Sequence, residues 1–323
     1  MRIASVVVVG SFNVDHVWTV VALPRPGETL TGRYHCGPGG KGFNQATAAA
    51  RAGADTCFVC ALGDDSGGQL ARALAVADGI DLRGLTSTEP TGTAGIYVDA
   101  AGRNSIVIGA GANAALAPSF VDGQAAAIAA AVVVLAQLES PVGAVHAAFV
   151  HARGAGVTTV LNPAPADAIA AGELLSLADV ITPNETEFCA QLAAHHGEQV
   201  DADTLAMLDD AHLHALCRRL LPDGSVVITL GAEGCFVSHA DRDWRGDAGP
   251  YCRLGAAPVH AVDTTGAGDA FNGALAASLA NAPGRPFVEH ARFANRCAAL
   301  STERRGASVA MPRLEEVRAR FGD

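Results

Sequence analysis

The sequence predicts an α/β fold, a three-layer α/β/α core around a mostly parallel central sheet, with a small β-sheet lid. Three observations predict it. Continuous apolar, β-branched runs recur along the chain, the pattern of strands buried on both faces. Alanine- and leucine-rich stretches at helical spacing separate most of them, as in parallel-sheet proteins. Two stretches, roughly 16–36 and 93–110, break that rhythm and read as strands joined by turns with no helix between.

Taken in order, "IASVVVVG" is a first strand beginning at Ile3, and the polar residues that follow at once exclude a signal peptide. The first lid stretch, "HVWTVVALPRPGETLTGRYHC", leads to a helical pattern over Asn44–Ala52. The strand "TCFVCALG" and a helical pattern over Gly68–Ala77 come next, then the second lid stretch, a hairpin with "DAAGRN" as its turn. The longest apolar run, from Ala125 to Ala136, is too short to span a bilayer and reads as a buried helix feeding the strand "AVVVLAQLE". A helical pattern over Pro141–Arg153 precedes the strands "VTTVLNPAP", "ADVITPNE", "SVVITLG" and "GCFVSH". No linker, low-complexity tract or internal repeat interrupts the series, so one domain over residues 1–323 with a small lid is the economical reading.

Half of the 323 residues are hydrophobic and 17% are charged, the composition of a globular protein. The 33 acidic against 22 basic residues give a net charge of −11, and no basic cluster exceeds Arg304-Arg305. That balance argues against nucleic acid or an anionic membrane as partner. Eight cysteines without pairing rhythm suit a reduced cytoplasm. Cys57 and Cys60 form a C-x-x-C, but on a strand these positions face opposite sides and cannot share a zinc ion, so they read as packing residues. The histidines of "AAHHGEQ" lack H-E-x-x-H spacing and read as solvated helix-end residues.

In open parallel sheets, ligands gather beyond the carboxyl ends of the strands. Those ends here carry Asn13 and Asp15, Gln137 and Glu139, Asn162, Asn184 with Glu185 and Glu187, and Thr229 with Gly231. Any one of these could be a cap or turn residue. Their recurrence at one end of five strands outlines a crevice.

"GPGGKGFNQ" has G-x-G-x-x-G spacing at Gly37, Gly39 and Gly42. A dinucleotide fingerprint should follow the first strand, whereas this one follows a hairpin-like stretch and opens a helix with Lys and Asn in its first turn. Lys41 is the only lysine in the chain. Its ammonium, with Asn44 one turn along, suits the hydroxyl groups of a polar ligand; the alternative is a solvated residue at a helix start.

"DTTGAGD", residues 263–269, carries no lysine and is not a Walker A loop. Gly266, Ala267 and Gly268 still predict an anion hole, because the first N–H groups of a helix lack partners and lie at its positive end. Asp269 would be repelled by a phosphate unless it has a task, and accepting a proton from an attacking hydroxyl is one that fits. An exposed aspartate, with a pKa near ~3.9, is basic enough for a late proton transfer. Asp263 would fix the loop or bind a cation. An acidic N-cap on a flexible turn is the bland alternative.

"GGKGFNQATAAARAGA" and "DTTGAGDAFNG" resemble the two signatures of the PfkB, or ribokinase-like, carbohydrate kinases. "GSFNVDH", "PRPGETLTG", "GDDSGG", "GAGANAALAP", "QLESP", "LNPAPA", "ITPNETE" and "ITLGAEG" extend the resemblance over the whole chain in the family's order. It implies ATP-dependent phosphorylation of the 5-hydroxyl of D-ribose. Asn13, Asp15, Gly39, Gly40, Lys41, Asn44 and Glu139 would hold the sugar, and Asp269 would be the base. Asn184 and Glu187 would organise water and Mg²⁺, while Thr229, Gly231, Ala232, Glu233, Gly234, Gly268 and Asn295 would line the nucleotide site. K⁺ as activator would sit among Asp263, Thr265, Ser301, Arg304, Gly306 and Ala310, the last replacing a common serine. The resemblance also implies a homodimer through the lid. Phe43, where a smaller residue is common, and a short "GRYHCGPGG" segment bear on which sugar fits. Two alternatives stay open: a kinase of the same family for a nucleoside, deoxyribose or another sugar, and a nucleotide- or sugar-binding regulator without turnover.

Overall fold

Val6 to Val9 feed two cores in turn. Val7 and Val9 enter one, Val6 and Val8 the other, because alternate strand residues face opposite sides of a sheet. The computed structural model describes residues 4–322, and Ile3, expected in the first strand, lies outside them. In chain order the strands are β1 (Val6–Val9), β2 (Asn13–Thr19), β3 (Arg33–Gly39), β4 (Thr56–Gly63), β5 (Asp81–Ser87), β6 (Gly92–Val98) and β7 (Asn104–Gly109). They continue as β8 (Val133–Ala136), β9 (Thr158–Leu161), β10 (Val180–Ile181), β11 (Ser225–Thr229), β12 (Cys235–Ser238) and β13 (Tyr251–Leu254).

The large sheet has nine strands in the order β13-β12-β11-β10-β9-β8-β1-β4-β5. It is parallel from β11 to β5, with β12 and β13 antiparallel at one edge. The longer helices are α1 (Lys41–Arg51), α2 (Ser66–Ala77), α3 (Val142–Gly154), α4 (Glu185–His196), α5 (Asp210–Leu220), α6 (Ala267–Asn281), α7 (Phe287–Ser301) and α8 (Leu314–Phe321). Residues of α3, α4 and α5 fill one core, and residues of α1, α2, α6 and α7 fill the other. Cys57 and Cys60 point into different cores, as their spacing requires.

The two irregular stretches pair as a separate four-stranded sheet, β3-β2-β6-β7. It begins earlier than expected. Asn13 and Asp15 lie on β2 of this small sheet, not at the end of β1. Residues 10–12 break the first strand, and β2 departs to pair with β3 and β6.

Two further expectations are corrected. The helix at the start of the long apolar run, Ala125–Ala130, buries only Ile128; alanine tolerates either environment, so an alanine run does not specify burial. His195 is not free in solvent, since its Nε2 lies 2.8 Å from the Ala170 carbonyl.

Helices α1 and α6 cross with almost no space between them. A Cβ on Gly273 would stand 2.3 Å from the Gln45 carbonyl oxygen and 2.5 Å from the Ala48 Cβ. That close approach sets the starts of both helices, with their polar side chains, against each other.

Candidate active site

The start of α1 cannot be capped from within. Gly40 adopts φ 86°, and a Cβ there would meet the Asn13 nitrogen at 2.8 Å. It also provides no side-chain cap. Glu139, beyond β8, does so from a distance: its Oε2 accepts the Lys41 N–H at 2.9 Å and the Ser11 hydroxyl at 2.6 Å. A carboxylate at a helix N-terminus is electrostatically favoured. One oxygen of Glu139 is therefore committed to the fold.

Asn13 is oriented in the same way. Its Oδ1 accepts from Asn113 Nδ2 at 2.8 Å, while Asn113 also exchanges hydrogen bonds with the Phe12 backbone. The Asn13 amide nitrogen is left as the donor. On the same strand, Asp15 is pushed up to about 7, first by burial and then by the negative charges of Glu139 and Asp269.

Asp269 occupies the first turn of α6 and is 7% exposed. The exposed carboxylate assumed from the sequence is thus corrected to a buried one. Asn44 Nδ2 donates to Oδ2 at 2.9 Å and Gln45 Nε2 donates to Oδ1 at 2.9 Å. Burial pushes the carboxyl above its ordinary range, and the Lys41 charge with the Gln45 and Asn44 donors only partly offsets this. Having given its amide to Asp269, Asn44 keeps a buried Oδ1 with no hydrogen-bond partner.

At the mouth of α6, Gly266 has φ 76° and the N–H groups of Gly266, Gly268 and Asp269 have no partner among the described residues. The Ala267 N–H is different: it donates to the Thr264 carbonyl at 3.1 Å. The expectation of three free amides over 266–268 is corrected at that position, because the turn closes on itself there.

A polar cavity of about 160 Å³ opens at this point. It is lined by Lys41, Asn184, Glu187, Thr229 and Asp269, by the 266–268 turn, and by Asn162, Ala164, Thr182, Thr264 and Asn272. Asn184 and Glu187 form a capping box on α4, in which Asn184 Oδ1 accepts the Glu187 N–H at 2.8 Å and Glu187 Oε2 accepts the Asn184 N–H at 2.9 Å. Burial raises Glu187, although Asn184 and Lys41 oppose the shift.

Lys41 stays strongly basic. Burial lowers its affinity for a proton, and Asp269, Glu139 and Glu187 more than restore it. Its ammonium has no hydrogen-bond partner among the described residues.

Other expected residues stand apart from this cavity. Gly231, Ala232 and Glu233 form an exposed turn after β11, and Gly234 closes it with φ 92°. Asn295 on α7 donates to the Gly255 carbonyl at 2.8 Å. Asp263 accepts from the N–H groups of Thr265 at 3.0 Å and Gly306 at 2.9 Å. Burial raises its carboxyl, but those donors outweigh burial and hold it below the usual range. Ser301 bonds its own helix through the Ala298 carbonyl, the Arg304 side chain pairs with Glu316, and Ala310 is buried. Phe43 does not face the sugar loop. Its ring packs edge-on against Phe12 at 5.1 Å and Phe58 at 5.9 Å between centroids, so its bulk lies in the core.

The sequence reading passed over Gln45, Ser11, Asn113, Thr264 and Asn272. A signal existed for two of them: Gln45 is one turn beyond Lys41, and Asn272 is three residues beyond Asp269, so each shares a helix face with an expected residue.

Comparison with known proteins agrees with this geometry. The pattern of the pfkB family carbohydrate kinases matches residues 3–314. A ribokinase of Haemophilus influenzae is 41% identical over 312 residues, covering 96% of this chain and 95% of its own. The crystal structure of a Thermotoga maritima ribokinase, 30% identical, superposes with a TM-score of 0.86 over 99% of this chain and 100% of its own. An Arabidopsis thaliana ribokinase complexed with ribose and ATP, also 30% identical, gives 0.83 over 98% of each chain. The chain belongs to the pfkB family of carbohydrate kinases.

Proposed function

We propose that the protein transfers the γ-phosphate of ATP to the 5-hydroxyl of D-ribose, giving D-ribose 5-phosphate. The observation that carries the chemistry is the pairing of Asp269 with the unpartnered Asn44 Oδ1 at the unpaired amides of α6. A buried acceptor left alone costs about 1–3 kcal/mol, and a substrate hydroxyl that donates to it removes that cost. The choice of ribose rests on the relatives: ribokinases at high coverage, one of them holding ribose and ATP.

In this reading Asn13 and Asp15 hold the sugar through a donor and an acceptor, and Glu139 uses its remaining oxygen. Asp269 takes the proton of the 5-hydroxyl while that oxygen bonds to the γ-phosphorus. The bond from the γ-phosphorus to the bridging oxygen breaks and its electron pair leaves with ADP. The amides of Gly266 and Gly268, joined by Lys41, hold the charge on the transferring group. Thr229, Gly231 to Gly234 and Asn295 surround the nucleotide. Mg²⁺ supplies neutralisation of the phosphates, and the cavity-lining Asn184 and Glu187 suit the waters around such an ion.

The small sheet serves as a lid and as the contact between two chains. Ile106 and Ile108 on β7 are 50% and 53% exposed and share the Asp15 face of that sheet by register. A bare apolar edge strand favours such a contact. A solution mass of one chain at micromolar concentration removes the dimer. K⁺ activation belongs to the loop of Asp263, Thr265 and Gly306 with the carbonyls of Ser301, Arg304 and Ala310. Equal rates in sodium and potassium salts at matched ionic strength dismiss it. The cytoplasm is the compartment that fits eight free cysteines, and no described helix is long and apolar enough to cross a membrane.

ADP release measured across ribose, deoxyribose, fructose and nucleosides tests the reading. Ribose-dependent turnover is expected; a different active substrate overturns the sugar, and binding without turnover overturns the kinase. The state of Asp15 gives a second expectation. An ionised carboxylate accepts from hydroxyls through both oxygens and more strongly than its protonated form, and Asp15 loses its charge as pH falls through about 7. The KM for ribose should therefore improve by up to about tenfold from pH 6 to pH 8, and Asp15→Asn should flatten that trend. A ribose KM independent of pH in the unaltered protein would remove Asp15 from the sugar site.

A further inference from the structure

Gln45 is fully buried and does not line the cavity, yet it touches the proposed base. Its Nε2 donates to Asp269 Oδ1 at 2.9 Å and to Asn162 Oδ1 at 3.0 Å, and its Oε1 accepts from Gln137 Nε2. An ionised carboxylate only accepts hydrogen bonds, so Asp269 dictates which end of the Gln45 amide faces it. That choice turns Oε1 toward Gln137, which must then donate. Asn162 is fixed in turn, because its Nδ2 gives to the Thr182 carbonyl at 2.9 Å. The chain of amides thus ties the carboxylate to the ends of β8 and β9.

We propose that Gln45 is a positioning residue for the transfer, locking the Asp269 carboxylate in one rotamer through Gln137 and Asn162. The inference rests on Asp269 being the base. It deepens that reading by naming what keeps the base usable after burial. The charged groups facing Asp269 are Lys41 from α1, Glu139 from beyond β8, Glu187 from α4 and Asp15 from β2. Three of the four are carboxyl groups, which disfavour a further negative charge. The Gln45 donor, with Asn44, opposes both this repulsion and the burial.

The test is steady-state kinetics of the full chain carrying Gln45→Leu, with Gln137→Leu as a milder companion that leaves Asp269 its Gln45 partner. For Gln45→Leu, kcat should fall about ten- to a hundredfold, the worth of a hydrogen bond to a charged group. The KM values for sugar and ATP should stay within about threefold, since Gln45 itself does not line the cavity. The acid limb of the kcat profile should move up by about one pH unit, because the ionised base has lost a donor. Gln137→Leu should move both readouts the same way and by less, and it decides the matter if Gln45→Leu does not fold. An acid limb unchanged in the folded variants, or KM values rising in step with the loss of kcat, overturns the proposal. Asp269→Asn is run alongside. If that variant turns over normally the base assignment itself falls; if it is inactive while the Gln45→Leu limb is unmoved, only the role of Gln45 falls.

Discussion

Asp269→Asn should lower turnover by about 10²–10⁴, the usual worth of a positioned general base, with little change in the binding of ATP. The substitution keeps the volume, and its one oxygen can still accept from either Asn44 or Gln45. What it loses is the capacity to take a proton. Its new NH₂ group must also face either Asn44 or Gln45, donor against donor, unless an amide turns. Because the site is buried, neither effect is relieved by water. The pH profile gives a second check. Burial raises the Asp269 carboxyl above its ordinary range, so the active, ionised form is lost as pH falls through that raised value. An acid limb in kcat should be present in the unaltered protein and absent from the residual activity of the variant. Near-normal turnover in Asp269→Asn would leave the anion-binding turn without its chemistry.

The sheet was legible in the sequence because its central strands are buried on both faces and so carry no charged residue. The strands expected from "VVVV", "TCFVCALG", "SVVIT" and "CFVS" all form. β5, with the sequence DLRGLTS, and β13, with YCRL, went unread. Both are edge strands, where one side is free and charged residues are tolerated, so the apolar signal is diluted. Composition also misled at Asn13 and Asp15. Nothing in the spacing shows where β1 stops and β2 turns away, since that break depends on pairing with β3 and β6.

Of the site, the residues supplied by local motifs were readable. Gly266 to Asp269 open a helix beside Lys41, Asn184 and Glu187, and one cavity gathers them. The contacts that fix these groups were not readable. Glu139 caps α1 across 98 residues of sequence, and Gln45 reaches Asp269 across 224. Such pairings exist only after the sheet has brought the strand ends together. Asn184 and Glu187 carry a further ambiguity: N-x-x-E is also the signature of a capping box, and here both side chains form one while facing the cavity. A motif can satisfy local and functional demands with the same atoms, which is why spacing alone does not separate them.

Lys41→Met should reduce turnover by about 10²–10³, the scale of losing one preorganised partner of developing charge, and should also raise the KM for ATP. Methionine preserves most of the unbranched stem, so packing at the start of α1 changes little. The charge is what goes. The Lys41 charge lowers the proton affinity of both Asp269 and Glu187, and Lys41 is the chain's only lysine. Its ammonium lines the cavity without a hydrogen-bond partner among the described residues, which leaves its donors available to phosphate oxygens. Without it, incoming phosphates meet a cavity whose fixed charges are carboxylates alone, and those carboxylates hold their protons to higher pH. The acid limb of turnover should therefore move upward as the plateau falls. Lys41→Arg keeps the charge in a larger, planar head and should recover the ATP affinity better than the turnover. An unchanged KM for ATP in Lys41→Met, with the loss confined to ribose, would move this residue from the phosphate side of the site to the sugar wall.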